Sequence, residues 1–158
     1  MFFHLKNRAL LKISGSDSEG FLQAQLSNDI NKLGLLSVQL NAYCQHQGKI
    51  LVLFWVMKYK DSFFLSFPLD LLDAIKPRLQ MFVIMSDVVI EDKTNEFIQV
   101  GSIKEIHPKA LVINDKLSLI ITDIQNINEF NFESIGHWNM ACIDSFLPEI
   151  FLVTSEKL

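Results

Sequence analysis

The sequence predicts an α+β fold with antiparallel sheets and packed helices. Three observations carry this. Leu36 to Phe67 reads as three strands in succession, an antiparallel meander. Two apolar stripes at helical spacing follow Gly15 and Leu69. Short apolar stretches separated by polar turns fill the region from Val88 to Thr122. The 158 residues amount to one domain on a prior of roughly 100–200 residues. A chain of this size buries roughly 70% of its unfolded surface and holds a core without staples.

Ala9 to Ile13 reads as a strand that Gly15 ends, since glycine accepts the backbone angles of a tight turn. Ser16-Asp17-Ser18-Glu19 has the form of a capping box, in which the Ser16 hydroxyl satisfies a free N–H and Glu19 reaches back. Phe21, Leu22, Gln25 and Leu26 continue at helical spacing, and the helix is expected to end near Ser27-Asn28-Asp29. Leu36, Val38, Leu40, Ala42 and Cys44 alternate with Ser37, Gln39, Asn41 and Tyr43, the period of a half-buried strand. A turn at Gln45-His46-Gln47-Gly48 leads to Lys49–Lys58, apolar on both faces and therefore central in its sheet. Ser62 to Phe67 is the third strand. Leu69, Leu72, Ile75, Leu79 and Phe82 mark a helix, with a kink or early break expected at Pro77. Val88–Ile90, Phe97–Val100, Ala110–Ile113 and Leu117–Thr122 read as short strands, and "FESIGHWNMACID" holds a last helix.

Composition excludes several function classes. The chain is 49% hydrophobic with thirteen Phe, a core-rich globular protein and not a disordered one. Net charge is −4, and the fourteen basic residues are scattered. Phosphate binding needs concentrated positive charge, so neither direct nucleic-acid binding nor an anionic membrane surface is expected. The longest apolar run, Ile50 to Met57, is too short for a bilayer span of about 20 residues. The N-terminal Phe pair precedes the positive charges, the reverse of a signal peptide, and a cytoplasmic location is expected. Cys44 and Cys142 lie far apart, without a CxxC, and read as small buried hydrophobes. His4, His46, His107 and His137 have no ligand spacing, so no metal site is expected.

The stretch "ISGSDSEGFLQAQLSNDI" resembles the N-terminal signature of the YgfZ-like folate-binding proteins. These are tRNA-modifying relatives of the glycine-cleavage T-protein (aminomethyltransferase) superfamily. Gly15, Asp17, Ser18, Phe21, Leu22, Gln23, Gln25, Asp29 and Ile30 fit the family pattern, with Ser27 where Thr is usual. Three further blocks follow in order. Gly48-Lys49 fits a turn between two strands. Ser86 and Val88 fit a Ser–Lys–Val strand in which Asp87 replaces the Lys. Trp138, Ile143, Pro148 and Ile150 fit a late helix and strand. The family motif Lys–Gly–Cys–Tyr–x–Gly–Gln–Glu and the C-terminal barrel have no counterpart here. The resemblance thus covers one folate-binding-like module over residues 1–158, from a naturally short member or a piece of a longer one.

The resemblance implies a folate-binding-domain fold and tetrahydrofolate, or a derivative, as ligand. It places Trp138 against that ligand, where indole stacks on a flat ring. Arg8 stands where the family has a second ligand-facing aromatic, and Arg can stack on a ring or pair with a glutamate-tail carboxylate. The T-proteins carry an acidic pair after the second block; Val52 and Leu53 stand there, so aminomethyl transfer is not expected. The implied role is a non-enzymatic accessory protein supporting iron–sulfur enzymes and, indirectly, tRNA modification. Two alternatives stay open. One is a degenerate interaction module that has lost folate and binds a protein partner or its own copy. The other is a folate-dependent one-carbon transferase.

Overall fold

A computed structural model describes residues 1–156; the last two residues of the module expected over 1–158 lie outside the described residues. Nine strands and three α-helices are found among them. In order they are β1 (Phe2–His4), β2 (Arg8–Ser14), α1 (Ser18–Gln25), β3 (Gln39–Cys44), β4 (Ile50–Tyr59) and β5 (Ser62–Pro68). Then come α2 (Leu72–Met81), β6 (Val89–Asp92), β7 (Phe97–Ile103), β8 (Leu111–Val112), β9 (Leu117–Asp123) and α3 (Ile135–Asp144). They form two antiparallel sheets, of order β3-β4-β5-β2-β6 and β1-β7-β9-β8. This is the predicted α+β class.

β2, the strand read from Ala9 to Ile13, and the meander share one sheet, with Ala9 opposite Phe67 and Ile13 opposite Phe63. β4 lies between β3 and β5, and its run from Leu51 to Met57 is buried on both faces, as its unbroken apolar character requires. Phe54 and Val56 pack with Phe21, Leu22, Ile75 and Leu79 of α1 and α2. Trp55 and Met57, one residue out of step, pack with Phe3, Leu117, Leu119 and Trp138. The five-stranded sheet is therefore covered by helices on one face and by the four-stranded sheet and α3 on the other.

Four expectations change. The capping box does not form: Asp17 is the N-cap of α1 and no side chain caps it. Ser16 instead donates its N–H (2.9 Å) and its hydroxyl (2.8 Å) to Asp87 Oδ2, and the Asp87 N–H donates to Asp17 Oδ2 at 2.7 Å. A carboxylate from the segment before β6 wins the Ser16 hydroxyl because the two loops touch. Gly15, at φ +108°, permits that approach; a Cβ there would sit 2.1 Å from the Asp87 carbonyl oxygen. In β3 the buried phase is the reverse of the predicted one: Asn41 and Tyr43 are buried, while Leu36 and Cys44 are exposed. Tyr43 faces the helix-side core, and Leu40 only half-covers the opposite face. α2 runs through Pro77 to Met81 without a break, from a 3-10 turn at Leu69–Leu71. β1, absent from the sequence reading, pairs Phe2–His4 with Val100–Ser102 of β7.

Candidate functional site

A cleft of about 1000 Å³ opens at one end of the two-sheet core. Its walls come from the β1–β2 link, Trp55 of β4, the region around Phe130 and Phe132, α3, and the segment from Leu147 to Phe151. Arg8 and Trp138, the two candidate ligand residues, both line it from opposite ends of the sequence.

Arg8 opens β2 and turns its guanidinium toward the four-stranded sheet, 3.9 Å above the Trp55 ring. Its Nε donates to Ser66 Oγ (2.8 Å), its Nη2 to the Ser66 carbonyl (3.0 Å), and its Nη1 to Glu149 Oε2 (2.7 Å). Ser66 Oγ passes the network on by donating to Gln99 Oε1, and Gln99 Nε2 donates to the Ala9 carbonyl at 3.1 Å. The Arg8 side chain is 9% exposed. Its pairing partner is thus a carboxylate of this chain. The second oxygen of that carboxylate, Glu149 Oε1, is buried with no hydrogen-bond partner among the described residues.

Burial works against both charges. It lowers the Arg8 pKa, with the Glu149 carboxylate offsetting part of the shift. It raises the Glu149 pKa, with Arg8 offsetting in turn. The two shifts agree in meaning: desolvation outweighs the attraction within the pair. The neighbouring Cys142 thiol is pushed up to about 11 by burial and so stays protonated, a poor nucleophile.

Trp138 is 3% exposed and mostly a packing residue in this geometry. Its ring lies against the backbone of β7 at Gly101, where a Cβ would meet Cε3 at 2.7 Å. Phe3 (5.9 Å between ring centroids) and Trp55 (6.4 Å, edge to face) cover it further. Only the remainder of the indole reaches the cleft wall. The opposite wall is aromatic as well, with His4 stacked on Phe132 at 5.0 Å. Burial, with Lys6 adding repulsion, lowers the His4 pKa and favours the neutral imidazole.

Val52 and Leu53 are buried in β4, so this strand offers no carboxylate at either position. Among the described residues no three His, Cys, Asp or Glu side chains gather as metal ligands, and no helix is long and apolar enough to cross a membrane. Sequence reasoning missed Trp55 and Glu149. Trp55 was hidden in an apolar run that burial alone explains. Glu149 had a signal, a single acid inside "FLPEIF" where an apolar run must carry a charge.

No family model matches the sequence. The chain is 31% identical to the tRNA-modifying protein YgfZ of Enterobacter sp., over 97% of this chain and 57% of that protein. It is 27% identical to an aminomethyltransferase of Exiguobacterium sibiricum, over 82% of this chain and 35% of that protein. It thus spans roughly a third to somewhat more than half the length of these relatives. Among solved structures, the glycine cleavage system aminomethyltransferase T of Bartonella henselae shares the fold, with a TM-score of 0.56 at 15% identity, over 63% of this chain and 27% of that one. The chain is thus similar to YgfZ along nearly its whole length, and it shares its fold with an aminomethyltransferase T.

Proposed function

We propose that this chain is a folate-binding accessory protein without turnover of its own, supporting iron–sulfur enzymes and, through them, the modification of some tRNAs. One observation carries the reading: Arg8 and Trp138, the two residues that the resemblance implies for the ligand, line one aromatic-walled cleft. Its volume suits a small-molecule ligand, since such sites run to roughly 300–1000 Å³. Flat rings stack well on aromatic surfaces such as the wall that Phe132 and His4 provide. Tetrahydrofolate or a derivative is the ligand that the relatives' chemistry favours. Apolar Val52 and Leu53 favour binding over one-carbon transfer.

The test is titration with 5-formyl-tetrahydrofolate, followed by indole fluorescence and calorimetry. Saturable micromolar binding is expected for the wild type, weakened at least tenfold in Trp138→Phe, a variant that keeps an aromatic in the core. Absence of binding to the folded protein overturns the reading. Turnover of tetrahydrofolate with a one-carbon donor above background overturns its non-enzymatic half.

A second reading, a protein-interaction module that has lost the ligand, is favoured by the surface beside the cleft. Ile143, Phe146, Leu152 and Val153 are 55–91% exposed there. Concentration-dependent association in sedimentation, unchanged by folate, would support it.

A further inference from the structure

Arg8 already holds a carboxylate, and it holds it badly. Glu149 meets the guanidinium through one oxygen, at 2.7 Å, whereas an arginine pairs best with a carboxylate through two parallel N–H···O bonds. Glu149 Oε1 is left buried and unpartnered, an arrangement that forfeits the hydration it would have in water. Arg8 Nε and Nη2 each donate to Ser66 and fix the guanidinium on Trp55, while Nη1 meets Glu149, which lines the cleft with it.

The segment that brings Glu149 in is lightly fastened. Ile150 is its one fully buried side chain. Its polar ties are the Leu152 N–H to Asp70 Oδ2 (3.2 Å), Ser155 Oγ to the Leu51 carbonyl (2.7 Å) and the Glu156 N–H to the Ile50 carbonyl (2.8 Å). Phe151, Leu152 and Val153 are 48%, 55% and 75% exposed. Few buried apolar contacts and exposed backbone bonds are the marks of a segment that opens locally.

We propose that Arg8, seated on Trp55, is the carboxylate subsite of the cleft, and that Glu149 is its internal occupant, displaced by the carboxylate of an aromatic acid when that ligand enters. The class of ligand rests on the folate reading, but the exchange does not need a pterin. Trading one carboxylate for another keeps the buried Arg8 charge compensated throughout, which removal of Glu149 alone would not. The released Glu149 recovers water on both oxygens. Because the free subsite is only partly populated, Glu149 lowers the apparent affinity for the ligand, and removing its charge raises it.

The probes are 4-aminobenzoyl-glutamate, 4-aminobenzamide as its carboxylate-free counterpart, and 5-formyl-tetrahydrofolate, each read by indole fluorescence. Glu149→Gln is expected to bind 4-aminobenzoyl-glutamate about tenfold tighter than the wild type, with no change for 4-aminobenzamide. Saturating the wild type with 4-aminobenzoyl-glutamate is expected to speed chymotrypsin cleavage after Phe151 or Leu152, a readout independent of any variant's folding. Equal or weaker binding by Glu149→Gln, unchanged cleavage, or no binding of this acid to any variant overturns the proposal. Binding of 5-formyl-tetrahydrofolate that ignores Glu149→Gln overturns the exchange and leaves the folate reading standing. Exchange seen with 4-aminobenzoyl-glutamate but no binding of 5-formyl-tetrahydrofolate does the reverse.

Discussion

Toward α1 and α2 the five-stranded sheet presents Ala9, Leu11, Phe54, Val56, Leu65 and Phe67, which pack with Phe21, Leu22, Ile75 and Leu79 of the helices. Toward the other sheet it presents Leu10, Trp55, Met57 and Phe64, but Arg8 and Ser66 stand among them and Gln99 reaches in from β7. The same strands, read one residue out of step, thus build two different interiors. The helix-side face buries no charge pair, and its one unpartnered polar atom among the described residues is the Tyr43 hydroxyl; it serves folding. The inter-sheet face interrupts its apolar packing where the cleft opens and spends stability on a buried charge pair. The difference teaches where function sits in this fold: on the face that packs less well.

The comparison breaks most visibly at Phe54, fully buried on the helix side, edge to face with Phe67 at 5.2 Å. Phe54→Ala is expected to cost about 3–5 kcal/mol in urea denaturation, the range for a buried aromatic lost from a packed core. Ligand affinity of the molecules that remain folded is expected to stay at the wild-type value, since no atom of Phe54 lines the cleft. A large affinity loss in the folded fraction would show that the two interiors are one unit.

Gly101→Ala is the corresponding probe of the inter-sheet side, with a smaller expected effect. The added Cβ would meet the Trp138 ring at 2.7 Å, and both the strand and the ring must give. Overpacking of this kind costs about 1–3 kcal/mol. Here the affinity is expected to fall as well, with a changed indole emission, because Trp138 moves relative to the cleft. Unchanged emission and affinity would mean that the indole has slack that its contacts with Phe3 and Trp55 do not show.

The sequence made the helix-side interior readable and the other one hard. β4 and β5 announce themselves as apolar runs, and the stripes of α1 and α2 follow from spacing alone. β3 misled because Tyr43 and Asn41 are inward residues whose polar atoms disguise the phase; the Asn41 carboxamide accepts the Asn28 N–H at 2.8 Å. β1 is three residues whose strand character is decided by distant Val100–Ser102, which no local pattern reports. Arg8 and Trp138 were found through family likeness. That Arg8 would rest on Trp55 and take Glu149 depends on three segments meeting, a non-local fact. Asp87 shows the same limit, since its departure from the family Lys makes sense only once it holds the Ser16 loop.

The smallest expected effect separates the two regions by the sign of their pH dependence. On the helix side, the hydrogen bonds from Ser16 hold the Asp87 carboxyl below its ordinary value of 3.8. A depressed carboxyl contributes stability that is present above its unfolded pKa and lost as pH falls through the folded one, so this contribution fades below pH 3.8. On the cleft side, burial raises the Glu149 carboxyl above 4.5. Its contribution is full below 4.5 and is lost as pH rises through the folded value, the opposite direction. Urea denaturation of the wild type, Asp87→Asn and Glu149→Gln from pH 3 to pH 7 resolves the two. Asp87→Asn is expected to flatten the acid limb alone, and Glu149→Gln to remove the decline above 4.5 alone. If Glu149→Gln instead flattened the acid limb, Glu149 would be a net stabilising partner of Arg8, and the cleft would hold its charge pair as comfortably as the helix side holds its apolar core.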